Sequence, residues 1–309
     1  MKNKIIARNK INLLELIKKE IQLNGTKCNL NYIDTSLITD MSYLFERSNF
    51  NGDISQWNTS NVENMIGMFR DSLFNGDISN WDTSNVKSMN TLFCHCPFNT
   101  DISMWNVSHV EDMYGMFEHS PFNGDISQWN LSNVQDMSCM FGYSKFTGNI
   151  STWNVSNVQN MRSIFHNSAF NGDISAWDVS NVTKMSNMFE HSQFNGDISQ
   201  WNTSNVVNME AMFINSKFNG DISAWDVSNV GNMINMFYQS PFSRDLSSWC
   251  PINLEYLNNM FYSCPSSVPY WANIKNNEER KNAIDTYQTK KQLDCIINKD
   301  NTNYRTLKI

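Results

Sequence analysis

The sequence predicts a repeat solenoid of the α/β class, from one repeated unit and three columns of aromatic residues. Residues 50–73 read FNGDISQWNTSNVENMIGMFRDSL, and variants of this 24-residue unit fill most of the 309-residue chain. One tryptophan and two phenylalanines recur at 24-residue intervals, without an insertion or a deletion. Stacked units need this constant length because each one packs on the unit before it. The tryptophan column comprises Trp57, Trp81, Trp105, Trp129, Trp153, Trp177, Trp201, Trp225 and Trp249, and the phenylalanine columns run from Phe50 to Phe242 and from Phe45 to Phe261.

A degenerate copy of the unit precedes the first clear one. Its apolar residues Leu30, Ile33, Ile38, Met41 and Phe45 stand where the next copy has Ile54, Trp57, Val62, Met65 and Phe69. With this copy included, we predict ten coils over residues 26–267, forming one elongated domain. Parallel stacking at about 4.8 Å per coil gives a body about 48 Å long.

Each coil is predicted to contain a short strand and a short helix. In the second half of the unit, Val62, Met65 and Phe69 have helical spacing. Ser60 precedes this run at the position of an N-cap, and Glu63 follows three residues later, as in a capping box. The first half, residues 52–57, follows an Asn-Gly turn signal and is too short for a helix, so we predict a brief strand there.

The unit F-N-G-D-I-S-x-W-[ND]-x-S-N-V-x-x-M-x-x-M-F resembles the repeats of the BspA-like leucine-rich repeat family of bacterial surface proteins. The resemblance covers residues 26–267. It implies a leucine-rich-repeat-like solenoid with a role in protein binding or adhesion. It implies no catalytic residue.

Both ends of the stack are predicted to carry helical caps. Residues 1–25 contain a helical face formed by Ile11, Leu14, Ile17 and Ile21 and stopped by Gly25, with a short strand at Lys4–Ala7 before it. Residues 268–309 are predicted to form a helical cap and tail, with a polar helix at Asn277–Ile297. The apolar side chains available to pack this helix on the stack are Ala283, Ile284, Tyr287 and Leu293. Terminal repeats need such covers because their outer faces have no neighbour.

The cellular location is expected to be the cytoplasm. Charged residues interrupt the apolar runs at the N-terminus, so no signal peptide is recognised, and neither a lipobox-like cysteine nor a transmembrane segment is found. The seven cysteines have irregular spacing, which fits a reducing compartment. The alternative is the cell surface, reached by an unrecognised export route.

Charge and motif content favour a protein partner over nucleic acid, a cofactor or a substrate. Residues 25–271 carry 9 basic and 23 acidic side chains, a net charge of −14, and such a surface repels phosphates. No catalytic triad, P-loop or dinucleotide fingerprint is present, and a regular coil surface offers few deep pockets. We therefore expect a non-enzymatic monomer that needs no cofactor, does not insert into membranes and binds a protein.

Two groups of residues have the chemistry of metal ligands, and a structural role is favoured over metal binding for each. An aspartate recurs at 24-residue intervals from Asp53 to Asp245, in most units after Asn-Gly, and could form a ladder of carboxylates for calcium. Asn149 stands in the same column, so capping of the local turn explains these residues better. Cys94, His95 and His119 could hold zinc, but their spacing matches no zinc pattern. The methionines at Met65 and its equivalents have the spacing of core residues.

The partner is predicted to bind a variable strip that follows the second phenylalanine of each coil. Here the residues change from coil to coil while the framework columns stay constant. Aromatic and arginine side chains provide most of the affinity in protein interfaces. The predicted partner-binding residues are His95, Tyr114, His119, Tyr143, Arg162, His166, His191 and Tyr238. The predicted function is a protein interaction scaffold, and the alternative is a cell-surface adhesin or host-interaction protein.

Overall fold

The computed structural model describes residues 3–306, with side chains described for residues 3–294. Strand β1 (Ile5–Ile6) is followed by helix α1 (Lys10–Asn24) and by strand β2 (Ile33–Asp34). Near the other end, a 3₁₀ helix (Tyr270–Asn273) precedes helix α2 (Asn277–Thr306). Neither of the two α-helices is long and apolar enough, in its described part, to cross a bilayer.

The N-terminal segment packs on the first coil. Strand β1 pairs in parallel with β2, with Ile5 opposite Ile33. The side chain of Asn9 caps α1 by accepting a hydrogen bond from the backbone N–H of Asn12 at 2.9 Å, and the helix ends at Gly25, whose φ of 78° favours glycine. The predicted helix and strand are therefore present. The predicted face is confirmed in part: Ile17 is buried and Leu14 and Ile21 pack against the core, but Leu13 is also buried and Ile11 is exposed.

Consecutive 24-residue units lie side by side and are joined by parallel backbone bridges. These bridges link one residue per unit in a continuous series that starts at Asp40, Asn64 and Ser88 and ends at Tyr256. In the residues that follow the bridge residue of each unit, every second backbone N–H donates a hydrogen bond to a carbonyl of the next unit. In the second unit, Met65, Gly67, Phe69 and Asp71 donate to the carbonyls of Ser88, Asn90, Leu92 and Cys94.

The predicted helix in each coil is not present, and the predicted strand is misplaced. Residues 35–269, all of them described, contain no α-helix and only isolated bridges. The remaining backbone N–H groups, which alternate with those that donate to the next unit, close tight turns. The Met68 N–H, for example, donates to the Met65 carbonyl at 3.2 Å. Gly67 and Asp71 have φ near +55°, which no α-helix accommodates. The helical spacing of the apolar residues therefore reflects a chain of turns. The continuous series of bridges lies beside these turns, at Asn64 and its equivalents, whereas residues 52–57 contain one bridge, from Asp53 to Asn29.

The apolar columns form one continuous core. The tryptophans are buried, with exposures of 3% for Trp105, 4% for Trp129 and 3% for Trp153, and the predicted methionine column is also buried. Rings of neighbouring units stack, as for Trp153 and Trp177, whose centroids lie 6.4 Å apart. Each indole N–H donates to a carbonyl of the preceding unit, which satisfies a polar group that burial would otherwise leave unpaired. The predicted burial of the tryptophan and methionine columns is confirmed.

Two asparagine columns connect the units through side-chain bonds to the backbone. The Asn99 Oδ1 accepts from the backbone N–H of Asn123 in the next unit at 2.9 Å. In the other column, Asn157 Nδ2 donates to the carbonyl of Ser132 in the preceding unit at 2.6 Å. Ser60, which was predicted to cap a helix, instead donates its backbone N–H to Asn58 Oδ1 within a turn. These polar residues therefore hold the register of the coils.

The C-terminal end continues the tryptophan column out of register. Trp271 follows Trp249 after 22 residues, is fully buried, and donates its indole N–H to the carbonyl of Leu246 at 3.0 Å. The guanidinium of Arg280 at the start of α2 is buried and donates to the carbonyls of Leu254 and Ile274. Arg280 thereby satisfies backbone oxygens that have no further coil above them.

Helix α2 packs on the stack through fewer residues than predicted. Ile284 is buried and Ala283 and Tyr287 are half-buried, but Leu293 is exposed. The predicted tail includes residues 307–309, which lie outside the described residues. The six described cysteines are free thiols. Cys96 is buried, whereas Cys264 is half-buried.

Candidate functional site

The predicted strip lies on the turns that replace the helix, and its backbone directs side chains outward. His95, His119, Tyr143 and His191 occupy the same position in their units, with φ between 53° and 55°. Such left-handed backbone is uncommon for residues other than glycine. Each of these four side chains is exposed. The strip is therefore a row of outward-pointing side chains on a rigid backbone.

The four rings of this row, together with His166 from the column just before it, form what we call the aromatic edge: His95, His119, Tyr143, His166 and His191. The centroids of His95 and His119 lie 4.2 Å apart, as do those of His119 and Tyr143, and both pairs are nearly parallel. Tyr143 and His166 are 4.7 Å apart and tilted by 54°. His191 meets His166 edge to face at 6.2 Å. Five consecutive units thus present a continuous aromatic surface.

A hydrogen-bonded series crosses the middle of the aromatic edge. His166 Nδ1 lies 3.0 Å from Glu190 Oε2, and His166 Nε2 lies 2.8 Å from the Tyr143 hydroxyl. The carboxylate favours a proton on Nδ1, so Nε2 accepts from the tyrosine. Asn187 Nδ2 also donates to Glu190, at 2.6 Å. Burial opposes ionisation of Glu190, but the hydrogen bonds from His166 and Asn187 outweigh it, and the pKa of Glu190 lies below its usual value.

Glu118 has a different environment on the other side of Tyr143. Burial raises the pKa of Glu118, and the nearby His95, His166 and Cys94 offset only part of this effect. The Cys94 thiol is a distant donor, at 3.8 Å from Glu118 Oε2. Burial, together with the negative charge of Glu118, raises the pKa of Cys94 to about 12. Cys94 is therefore less readily ionised than an exposed thiol.

A shallow polar groove of about 260 Å³ opens beside the edge. Its lining includes Glu118, Cys139, Gly142, Tyr143, Arg162 and His166. Burial raises the pKa of Cys139 to about 11. Glu118, Cys139 and Gly142 were not among the residues predicted from the sequence. Glu118 and Gly142 lie in the variable column one residue before His119 and Tyr143.

Two of the predicted residues flank this groove, and a third lies apart. Arg162 lines it and is exposed. Tyr114 lies close to Cys139, and the electrostatic interaction between the two ionisable groups is the main cause of the raised pKa of Tyr114. Tyr238 instead stacks on Tyr262, with centroids 5.0 Å apart, three units beyond His166. Seven of the eight predicted residues therefore form one group, and Tyr238 lies apart from it.

The aspartate column caps turns, as predicted. Asp125 Oδ1 accepts from the backbone N–H of Ser127 at 2.9 Å. Asn149 makes the same bond to Ser151 at 3.0 Å, so a negative charge is not needed. Hydrogen bonds to the turn hold the pKa of Asp125 below its ordinary value. Among the described residues, no three His, Cys, Asp or Glu side chains are grouped so that they could hold a metal ion.

Comparison with known proteins identifies a repeat family. No curated protein and no solved structure matches the chain. The family model described as "Mycoplasma protein of unknown function, DUF285" matches five overlapping stretches, at residues 15–123, 74–169, 114–217, 167–271 and 190–294. The overlaps indicate a repeat protein, and together they span residues 15–294. The chain therefore belongs to this family of Mycoplasma proteins of unknown function, DUF285.

Proposed function

We propose that this protein is a leucine-rich-repeat-like solenoid that acts as a non-enzymatic scaffold and binds a partner protein along the aromatic edge. The bridges between consecutive units and the continuous core support the solenoid. The resemblance of the repeat to the BspA-like family supports a role in protein binding. The observation that carries the function is the aromatic edge itself.

The aromatic edge is not needed to close the coils. In the position of His119 and Tyr143, other units carry Asp71, Asn167 or Asn215 with the same left-handed backbone. Aspartate and asparagine adopt this conformation more readily than histidine or tyrosine. The aromatic residues therefore have no folding advantage at these positions, which favours a role at the surface.

The edge also has the physical properties of a binding surface. Its rings are stacked at 4.2 Å along three consecutive units, so they lose little conformational freedom when a partner arrives. Tyrosine is among the residues that most often provide the affinity of an interface. Tyr143 is 43% exposed, and its hydroxyl is oriented by His166. The centre of the edge is thus both accessible and preorganised.

The test is capture of partners from native cells with the intact protein, followed by affinity measurement with the captured partner. In the double variant His119→Ala and Tyr143→Ala, we expect at least about tenfold weaker binding. The free energy of unfolding should stay within about 1 kcal/mol of the parent value, as is usual for surface changes. The matched control is Asp71→Ala with Asn215→Ala, which alters the same column in the units before and after the edge. Unchanged affinity in the aromatic double variant would contradict the proposal and direct the search to the Gln56, Gln128 and Gln200 face.

A surface adhesin is the second candidate, because the repeat resembles that of bacterial surface proteins. The cytoplasmic scaffold and the adhesin differ in where the chain is found. Intact native cells treated with an external protease would distinguish them: degradation of the protein favours the adhesin, and protection favours the scaffold. The cytoplasmic protein recovered after lysis should remain sensitive to the same protease, as the control.

A further inference from the structure

The polar groove results from one missing side chain. Gly142 occupies a column that carries a larger residue in every other coil: Glu46, Arg70, Cys94, Glu118, His166, Glu190, Ile214, Tyr238 and Tyr262. A Cβ at residue 142 would lie 3.3 Å from the Cys139 carbonyl oxygen and 3.7 Å from Glu118 Cγ. Because Gly142 has no side chain, a gap remains in this column, and a side chain of another molecule can enter it.

Two carboxylates and one phenol oxygen provide hydrogen-bond acceptors around this gap. Glu118 contributes a half-buried carboxylate whose described donor is the thiol of Cys94, at 3.8 Å. The Tyr143 hydroxyl donates its proton to His166, at 2.8 Å, so its oxygen still accepts. Glu190 adds a second carboxylate, which His166 and Asn187 already engage. A half-buried carboxylate with one weak donor is stabilised by an incoming cationic donor.

We propose that the groove at Gly142 is an anchor pocket for one basic side chain, lysine or arginine, of the partner protein. This inference rests on the proposed function and deepens it by naming the chemistry of the partner. The ammonium or guanidinium group bonds Glu118 and the Tyr143 oxygen, and the aliphatic stem lies in the gap. The volume of about 260 Å³ lies below the range for drug-sized ligands and suits a single long side chain.

Charge along the chain agrees with this choice. The body between residues 25 and 271 carries a net charge of −14, which attracts a basic partner and repels an acidic one. Arg162 is the opposing group, because it lines the groove with a positive charge. Its side chain is exposed, so solvent screens its repulsion more than it screens the attraction of the half-buried Glu118. Removal of the Arg162 charge should therefore not weaken the binding of a basic group.

The experiment is a ligand-detected NMR titration of the full chain with four probes: the N-acetyl amides of arginine, lysine, glutamine and glutamate. We expect the arginine and lysine probes to bind and the two others not to. Glu118→Gln should weaken binding of the basic probes about tenfold or more, because one charge-assisted bond is lost. Arg162→Gln should leave it unchanged or strengthen it. Preferential binding of the glutamate probe, or no effect of Glu118→Gln, would overturn the proposal.

Filling the gap provides an independent test. Gly142→Ile introduces the residue that Ile214 places in the same column, so we expect the variant to fold and to lose probe binding. Tyr262→Ile is the matched control, because it introduces isoleucine in that column away from the groove. Probe binding that survives in folded Gly142→Ile would overturn the proposal, and if this variant does not fold, the Glu118 and Arg162 variants decide.

The captured partner separates this inference from the proposed function. Loss of partner binding in both Gly142→Ile and the aromatic double variant supports the pocket and the edge together. Loss in the double variant alone would overturn the basic anchor and leave the scaffold function intact. Binding that none of these variants changes would overturn both.

Discussion

The indole nitrogen of Trp153 donates a hydrogen bond to the carbonyl oxygen of Ile126 at 3.0 Å, in the preceding coil. The same bond recurs in every coil with a tryptophan in this column, so each indole both fills the core and satisfies a buried backbone oxygen. This double role explains why no other aromatic residue stands in the column.

Trp153→Phe should therefore destabilise the protein even though phenylalanine is also aromatic. It leaves the Ile126 carbonyl unpaired and opens space in the core, and we expect a loss of about 2 kcal/mol or more. Urea unfolding followed by circular dichroism measures the difference. Met104→Ala, at a side chain that is 85% exposed, is the control and should stay within about 0.5 kcal/mol. Equal effects of the two changes would contradict the double role.

Asn149 separates turn capping from metal binding in the aspartate column. Asn149→Asp keeps the bond to the Ser151 amide and should leave stability nearly unchanged, whereas Asn149→Ala removes the bond and should cost about 1 kcal/mol. Thermal unfolding with and without calcium provides the measurement. A calcium-dependent rise in the melting temperature, larger in Asn149→Asp than in the parent, would show instead that the column binds the ion.

The left-handed positions of the turns should distinguish glycine from β-branched residues. Ser163 has φ of 56°, in the column where Gly115 has the same value. Ser163→Gly should be neutral or slightly stabilising, and Ser163→Val should cost about 1–2 kcal/mol, because a β-branched residue is strained in this conformation. Gln128→Val is the control, because it introduces valine at an exposed residue that does not have a positive φ. A stable Ser163→Val variant would contradict this account of the turns.

His119 should make stability depend on pH. Burial and the nearby His95 and His166 lower its pKa from the ordinary value of 6.5, so the unfolded chain binds a proton before the folded chain does. The contribution of the neutral ring is complete above 6.5 and is lost as the pH falls below that value. The effect should be under about 1 kcal/mol, because solvent screens an exposed ring.

The variant His119→Asn isolates this contribution, since asparagine occupies the same column at Asn167. Urea unfolding of parent and variant at about pH 7.5 and about pH 5.5 brackets the titration. The parent should lose more stability than the variant on acidification. Equal losses would show that His119 titrates alike in the folded and unfolded chains.

Removal of one whole coil tests the proposed solenoid. Deletion of residues 146–169 brings Asp136 opposite Lys184, one unit apart in the new chain, and should give a folded protein shorter by about 4.8 Å. Deletion of residues 146–157 removes half a coil and should prevent folding, because it places core columns opposite polar ones. Small-angle scattering and circular dichroism measure length and folding. A folded half-coil deletion would contradict the stacked architecture.

The sequence by itself determined the 24-residue period of the repeat, the columns of residues that are buried and the turn-capping role of the aspartates. Residues such as Trp105 and Met65 recur at a constant interval, and burial of such a residue follows from its own chemistry and its place in the repeat. The capping role of Asp125 was also predictable, because the bond to Ser127 lies within a few residues of the same chain. Interactions that are local, or that repeat in every unit, can be recognised without coordinates.

Only the tertiary structure decided the secondary structure of the coils and the shape of the site. The spacing of Val62, Met65 and Phe69 indicated a helix, but alternate amides of this segment, including those of Met65 and Phe69, donate to carbonyls 23 residues away. Local spacing carries no information about bonds between coils. The same reason applies to the groove. It depends on the absence of a side chain at Gly142 between Glu118 and His166, each one coil away, and these three residues become neighbours only when the coils stack.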